Sequence, residues 1–228
     1  GHAPVLRFFF QVSWADFGQA VADKIRNTLN KGGVTDMHIN WMEYIASLLS
    51  YAGTLTAAQE PEHSRPYLPK VLLVGDNKTA NKAVHKGSAR SNSIVAQSLT
   101  KIFCWLQRHS KIATSSTYIN THANLFADDL SGAPLDTWVH KLTTMSTNDL
   151  ITYTMIPQTS GPLTSTLSYR RFQPSVDLMS AILDAILRPE QQPNSLPQLN
   201  VKNLGRLSDD NSISINFSPE RCPSTTSR

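Results

Sequence analysis

Three carboxylates each lie next to the end of a predicted strand or the start of a predicted helix. Glu43 lies in the first turn of a predicted helix, Asp76 follows the apolar run VLLVG, and Asp128 follows a predicted strand, in NLFADDLSG. Ligands collect at the carboxyl ends of strands in α/β sheets, so these three side chains can converge on one point. Mg²⁺ prefers a few oxygen ligands of this kind, with waters and phosphate oxygens completing its octahedron. The spacing therefore predicts a magnesium site.

The segment between Asp76 and Asp128 contains no acidic residue. Its lysines and arginines are Lys78, Lys82, Lys86, Arg90, Lys101, Arg108 and Lys111. The first three recur every four residues, so they share one face if the stretch is helical. A face with positive charge alone favours the phosphate backbone of a nucleic acid. Two metal ions about 4 Å apart at the acids would then clamp the attacking and leaving oxygens of a phosphodiester.

Each acid also has an ordinary structural interpretation. Glu43 could complete a capping box that begins at Asn40, and Asp76 could be the N-cap of the helix that follows it. Asp128 or Asp129 could cap a turn. The basic segment could likewise be a solvated surface. On the residues alone these alternatives stay open.

Hydrophobic periodicity and turn residues predict the elements that must position these side chains. The predicted strands cover residues 6–12, 34–39, 71–75 and 115–119, with a second strand or short helix after the turn at 13–18. The predicted helices cover residues 40–53, 78–85, 92–109, 133–142 and 174–187. Strands first, and then strands that alternate with helices, are typical of an α/β fold with a mixed sheet and helices on its faces.

The character of the chain changes after residue 132. Thr143 to Arg171 is rich in serine and threonine, and the helix predicted at 174–187 is amphipathic with proline in its first turn. From Pro189 to Arg228 the chain is polar and rich in proline, asparagine and serine, which indicates a loosely structured or extended arm. We therefore predict a domain over residues 1–132 and a C-terminal extension over residues 133–228.

The composition limits the class of protein. A chain of 228 residues with 40% hydrophobic residues can bury one sizeable core. The net charge of +4 indicates a mild preference for polyanions. Two cysteines, Cys104 and Cys222, cannot form a disulfide framework, which predicts a reducing compartment, the cytoplasm or the nucleus. No apolar run approaches the roughly 18–20 residues of a membrane span, so no membrane partner is expected.

Three blocks of the chain resemble a known family. HINWMEYIA, VLLVGDNKTANKAVHKGSARS and YINTHANLFADDLS are similar to the second, third and fourth blocks of ribonuclease H domains. They look most like the domains of retrotransposon polyproteins, including the DIRS-like elements, in which a DN pair follows a strand and an N..AD.LS block closes the domain. The resemblance covers roughly residues 5 to 132.

This resemblance implies a fold, an activity and partners. The fold is a five-stranded mixed sheet of order 3-2-1-4-5 with helices on both sides. The activity is hydrolysis of the RNA strand of RNA–DNA hybrids with Mg²⁺ or Mn²⁺, as part of a retroelement reverse transcriptase or of a host protein derived from one. The expected partners are the RNA–DNA hybrid and other domains of a larger polyprotein or complex.

Carried over by position, Glu43, Asp76 and Asp128 are three of the family's four catalytic metal ligands. The family expects the first ligand in a DAS..G.G block, where this chain reads QVSWADFGQA. One alignment puts the uncharged Ser13 at that position, whereas a shortened block puts Asp16 there. Asp16 is the expected fourth ligand. Its loss would leave a catalytically degenerate domain that serves as a binding platform for nucleic acid or protein.

The third block also implies contacts with nucleic acid. The residues concerned are Asn77, Lys78, Lys82, Lys86, Ser88, Arg90 and Asn92. Of these, Asn77 and Lys78 are expected beside the scissile strand.

Overall fold

The structure, a computed structural model, describes residues 6–30, 36–60, 70–89, 94–146, 149, 153, 166–190 and 199–216. Within these residues the chain forms five strands and seven α-helices. The strands are β1 (Phe8–Phe9), β2 (Lys70–Gly75), β3 (Ala113–Tyr118), β4 (Thr166–Pro174) and β5 (Gly205–Asn216). The helices are α1 (Gln19–Asn30), α2 (Asp36–Ala57), α3 (Lys78–Lys86), α4 (Ile94–Ser110), α5 (Leu125–Gly132), α6 (Leu135–Thr144) and α7 (Val176–Leu187).

The described strands form two sheets. One is mixed, with the order β1-β4-β5, in which β1 runs parallel and β5 antiparallel to β4. The other is a parallel pair of β2 and β3. The predicted α/β class, with a mixed sheet and helices, is confirmed. The single five-stranded sheet that was expected is not seen among the described strands.

Part of the difference between the predicted and the observed strands lies in the first 60 residues. The stretch predicted as a strand at 34–39 is helical from Asp36 onward, as the start of α2, and its first two residues lie outside the described part of the chain. Three apolar residues among six are a weak strand signal, and the long helix that follows begins within this stretch. The predicted strand 6–12 is shorter, Phe8–Phe9, and the helical alternative after the turn at 13–18 is correct.

The other part of the difference lies in the C-terminal extension. Residues 205–216 lie in the arm that was predicted to be loosely structured or extended; they are extended, as β5, and they pair with β4. Tyr169 and Phe172 of β4 are buried, as are Leu207 and Ile213 of β5. Serine, aspartate and arginine occupy many of the other positions, so these strands look polar by composition, although Phe172 and Leu207 pack in one hydrophobic cluster and Tyr169 and Ile213 in another. The helix predicted at 174–187 is confirmed as α7, with Ser175 as its N-cap.

Helices α2, α4 and α7 share one hydrophobic core. Its fully buried residues include Ile45, Leu48, Leu49, Tyr51, Leu99, Ile102, Phe103, Leu106, Leu178, Ile182, Ala185 and Ile186. Burial of each large apolar side chain contributes roughly 1.5–3 kcal/mol, so this core fixes α2 firmly. Because α7 belongs to the extension, residues after 132 help to hold the helix that carries Glu43. Within the described ranges, no helix combines the length and the apolar character needed to cross a membrane.

The parallel strands β2 and β3 end side by side. Val71 and Leu73 of β2 are buried, whereas Leu72 and Val74 on the opposite face are 60% and 51% exposed. The parallel register pairs Lys70 with Ala113 and Gly75 with Tyr118. Both strands therefore end at the same edge, and the residues that follow them start from neighbouring points.

Candidate metal and nucleic-acid site

Asp76 follows β2 directly and does not cap the next helix. The N-cap of α3 is Asn77, whose Oδ1 accepts hydrogen bonds from the backbone N–H groups of Thr79 and Ala80, both at 2.9 Å. The interpretation of Asp76 as an N-cap is therefore wrong. Since Asn77 supplies the N-cap, the Asp76 carboxylate does not cap the start of α3.

Glu43 lies in the interior of α2, about two turns after the helix begins at Asp36. The capping box is therefore wrong, because Asn40 is itself helical. The Asn40 Oδ1 instead accepts a hydrogen bond from Asn77 Nδ2 at 2.8 Å. This bond joins α2, just before Glu43, to the residue that follows Asp76.

Asp128 lies in the first turn of α5, on the chain that leaves β3. The Ile119 N–H donates to the carbonyl oxygen of Gly75 at 3.1 Å, which keeps the chain against β2 beyond the end of β3. A 3₁₀ turn at Thr121–Ala123 then leads to α5, whose N-cap position is occupied by Asn124. Asp128 is therefore not the N-cap. Its Oδ1 accepts a long hydrogen bond from Asn124 Nδ2, at 3.5 Å.

These three carboxylates act on one another. Burial raises the pKa of Glu43, and the charges of Asp76 and Asp128 raise it further. Burial also raises the pKa of Asp128, with added effects from the charges of Asp76 and Asp129. Negative neighbours raise a carboxyl pKa because they disfavour another negative charge close by. The charges of these three carboxylates therefore interact, and we call Glu43, Asp76 and Asp128 the carboxylate cluster; the magnesium site that the spacing predicted stays a prediction.

The cluster has the chemistry of a hard-cation site without a closed coordination shell. Among the described residues, none of its three carboxylates forms an ion pair with lysine, arginine or histidine. In the same part of the chain, no three or more His, Cys, Asp or Glu side chains are already arranged to hold a metal ion. Mg²⁺ uses only one or two carboxylates and keeps waters or phosphate oxygens as its other ligands, so the residues fit such an ion.

Asp16 is placed differently from the other three acids. Its Oδ2 accepts a hydrogen bond from the Ser13 N–H at 2.6 Å, and its own N–H donates to the Ser13 carbonyl oxygen at 3.1 Å. It is exposed, and it is not among the charges that raise the pKa of Glu43 or Asp128. The described contacts leave Asp16 in a local turn, and its role as fourth ligand remains a prediction.

Asn81, which the sequence did not single out, ties the ends of β2 and β3 together. Its Nδ2 donates to the carbonyl oxygens of Gly75 at 2.7 Å and Thr117 at 3.2 Å. The backbone carbonyl oxygen of Asn81 accepts a hydrogen bond from Ser116 Oγ at 2.7 Å. A buried amide satisfied in this way is directional, so it sets the strand ends that precede the acids. One asparagine among lysines carries no sequence signal for such a contact.

The predicted basic face exists on α3. Lys78, Lys82 and Lys86 are exposed, and their four-residue spacing puts them on one side of the helix. Ala83 and Val84 are buried on its other side. The lysine stripe, defined as these three lysines, therefore begins two residues after Asp76 and runs away from the carboxylates along α3.

The remaining predicted contacts divide into three groups. Ser88 is exposed just after the helix ends at Gly87, which has the left-handed φ of 61° that favours glycine. The Asn77 side chain bonds within the protein through both its oxygen and its nitrogen, so it is a structural residue in this structure. Arg90 and Asn92 lie outside the described residues.

Tyr118 adds an aromatic surface at this edge. It ends β3 beside Gly75, is 44% exposed, and has the Lys78 ammonium 4.9 Å from the centre of its ring. Exposed aromatic rings with cations nearby are common where proteins contact nucleic-acid strands. A single tyrosine at the end of a strand has no periodicity, so the sequence did not indicate it.

The fold and the site define an α/β protein with a carboxylate cluster where two parallel strands end, beside a basic helix. No protein-family model matches the chain, and neither curated proteins nor solved structures gave a significant match. The resemblance to ribonuclease H therefore remains a prediction.

Proposed function

We propose that this chain is a ribonuclease H-like nuclease domain, from a retroelement polyprotein or a host protein derived from one, that hydrolyses the RNA strand of RNA–DNA hybrids. One observation carries the proposal: the charges of Asp76 and Asp128 act on Glu43, and none of the three carboxylates has a cationic partner among the described residues. Structural carboxylates normally find a cation or several donors. A cluster of like charges is instead typical of a site that binds a cation.

The residues of the site take distinct roles in this proposal. Glu43, Asp76 and Asp128, with Asp16 as the expected fourth ligand, would hold Mg²⁺ or Mn²⁺. A bound divalent ion supplies a water of lowered pKa and stabilises negative charge on a phosphate. The lysine stripe would bind backbone phosphates, which orients the nucleic acid at the carboxylates. Tyr118, with Lys78 over its ring, would contact the strand next to them.

The architecture supports part of the ribonuclease H-like order 3-2-1-4-5. In that order the fourth and fifth strands are neighbours and run parallel. Here β2 and β3 pair in parallel, with α3 and α4 between them in the chain. The sheet of β1, β4 and β5 has a different pairing, so the complete order is part of the proposal.

The direct test is cleavage of a labelled RNA–DNA hybrid in Mg²⁺ or Mn²⁺ by the wild-type chain and by Asp76→Asn. We expect the substitution to reduce the rate by more than the roughly 10- to 100-fold typical of removing a group that only supports a metal ligand. Asp136→Asn, which changes an exposed acid in the first turn of α6, is the matched control and should cleave normally. Equal product from the wild-type chain and Asp76→Asn would contradict the proposal.

The placement of Asp16 favours one second candidate, a degenerate domain that binds nucleic acid without cleaving it. Asp16 is engaged by the Ser13 amide, and the described contacts do not bring it to the cluster. Calorimetric titration with Mg²⁺ separates the two functions. Hybrid binding in the presence of a chelator, together with no specific Mg²⁺ uptake, would select the binding platform.

A further inference from the structure

One hydrogen bond between side chains joins the two elements that carry Glu43 and Asp76. Asn77 Nδ2 donates to Asn40 Oδ1 at 2.8 Å, and both side chains are half-buried. Asn40 precedes Glu43 by three residues in α2, so the two lie on the same side of that helix. Asn77 immediately follows Asp76. The bond therefore spans the gap between the two carboxylate-bearing segments.

Asn77 is also held at its other end. Its Oδ1 accepts the backbone N–H groups of Thr79 and Ala80, which anchors the amide to the first turn of α3. An amide bonded through both its oxygen and its nitrogen has little freedom to rotate. The hydrogen bond therefore fixes the position of Asn40, and with it the rotation of α2 about its axis, relative to the end of β2.

Apolar packing alone does not provide this precision. The core holds α2 near β2, but hydrophobic contacts are not directional, whereas a hydrogen bond restricts both distance and angle. A site that binds a ligand requires its groups within about 0.5 Å of the productive geometry. The amide pair is a directional contact between the segments that carry Glu43 and Asp76.

We infer that Asn40 and Asn77 are positioning residues of the carboxylate cluster, whose hydrogen bond sets the spacing of Glu43 from Asp76 and hence the affinity for a divalent cation. The inference rests on the proposed function, since it concerns the same site. Neither side chain needs to touch the ion or the substrate in this role.

Two substitutions break the bond from opposite sides. Asn40→Ala removes the acceptor, whereas Asn77→Ser keeps a good helix cap but is too short to reach Asn40. We expect each to weaken Mn²⁺ or Mg²⁺ binding, measured by isothermal titration calorimetry, by about 10- to 100-fold, as is typical when a group that orients a metal ligand is removed. The double variant should bind the cation no more weakly than the single variant that binds it more weakly, because both substitutions remove the same hydrogen bond.

Two further variants separate positioning from general stability. Asn40→Asp keeps an acceptor for Asn77 and should bind the cation at least as well as the wild-type chain. Tyr51→Phe, in the same helix about two turns after Glu43, removes the hydroxyl that donates to the Ile112 carbonyl oxygen at 2.7 Å. It should lower the melting temperature without changing the cation affinity. Should Asn40→Ala fail to fold, Asn77→Ser against Asn40→Asp makes the same comparison.

The outcomes distinguish the inference from the function on which it rests. If the wild-type chain binds the cation and the bridge variants bind it equally well, the positioning role is overturned and the metal site stands. If the wild-type chain shows no specific uptake, the metal-dependent function fails, and the positioning role fails with it.

Discussion

Asp128 and Asp129 are neighbours in α5, yet two regions of the molecule give them opposite surroundings. Asp128 belongs to the carboxylate cluster, where burial and the charge of Asp76 raise its pKa. Asp129 accepts hydrogen bonds from Lys141 and from Tyr153 Oη, and these lower its pKa. A carboxylate that holds the fold together is thus given donors and a cation. The carboxylate assigned to function is left among like charges.

The surroundings of Asp129 are those of a second, smaller core. Phe126, Trp138, Tyr153 and Tyr169 pack with their rings in contact there, and Lys141 lies over the Tyr153 ring at 5.0 Å. Asp129 connects this aromatic cluster to α6 through Lys141. Its role is explained by stability alone, which makes it the internal reference for Asp128.

The largest expected effect comes from exchanging the two acids for amides. Asp128→Asn should reduce hybrid cleavage by more than about 100-fold, because it removes a proposed metal ligand. Asp129→Asn should leave cleavage intact and reduce the free energy of unfolding by about 1 kcal/mol, since its ion pair is partly exposed. Cleavage assays and denaturant titrations on both variants test this. Equal loss of activity in the two would remove the distinction between the regions.

The next effect concerns the lysines of the two regions. Replacement of the lysine stripe by alanine should weaken hybrid binding and reduce the slope of log affinity against log salt by about 0.9 for each phosphate that the protein no longer neutralises. Lys141→Ala is the matched control, because Lys141 is paired with Asp129 and should affect stability only. Fluorescence anisotropy at several salt concentrations measures both. An unchanged salt slope in the triple variant would show that nucleic acid binds elsewhere.

The smallest effect is on stability against pH. The folded-state pKa of Glu43 is raised, so its ionisation costs stability above the ordinary glutamate pKa of about 4.3, and no cost remains well below it. In a chelator at pH 8, Glu43→Gln should therefore raise the melting temperature by up to a few degrees, since about 1 kcal/mol corresponds to roughly 2–4 °C at this chain length. The gain should vanish near pH 4.

Asp129→Asn should change the melting temperature in the opposite direction in the same experiment. The folded-state pKa of Asp129 is lowered, so its ionised form stabilises the fold above the ordinary aspartate pKa of about 3.9, and this is lost as pH falls through the lowered value. Its melting temperature should lie below that of the wild-type chain at pH 8 and approach it in acid. Parallel curves for the two variants would contradict the contrast.

The elements closest to the site were predictable because their signals are local. Each of these elements has its signal within a short window of sequence. The signals are the apolar run that ends at Gly75, the capping residues Asn77 and Gly87 of α3, and the apolar repeat of α4. The pairing of β1 with β4 was not predictable, because the partners Phe8 and Arg170 are 162 residues apart in the chain (170 − 8). Long-range pairing is decided by the whole core and leaves little trace in a short window.

Residue order by itself determined which carboxylates could meet, since Glu43, Asp76 and Asp128 each lie where an element was predicted to begin or end. It did not determine which of two adjacent aspartates would join them. The partners of Asp129 lie 12 and 24 residues further along the chain, and the charge that acts on Asp128 comes from Asp76. Electrostatic and hydrogen-bonding neighbours depend on distance in space, which only the packing of α5 and α6 and the ends of β2 and β3 decided.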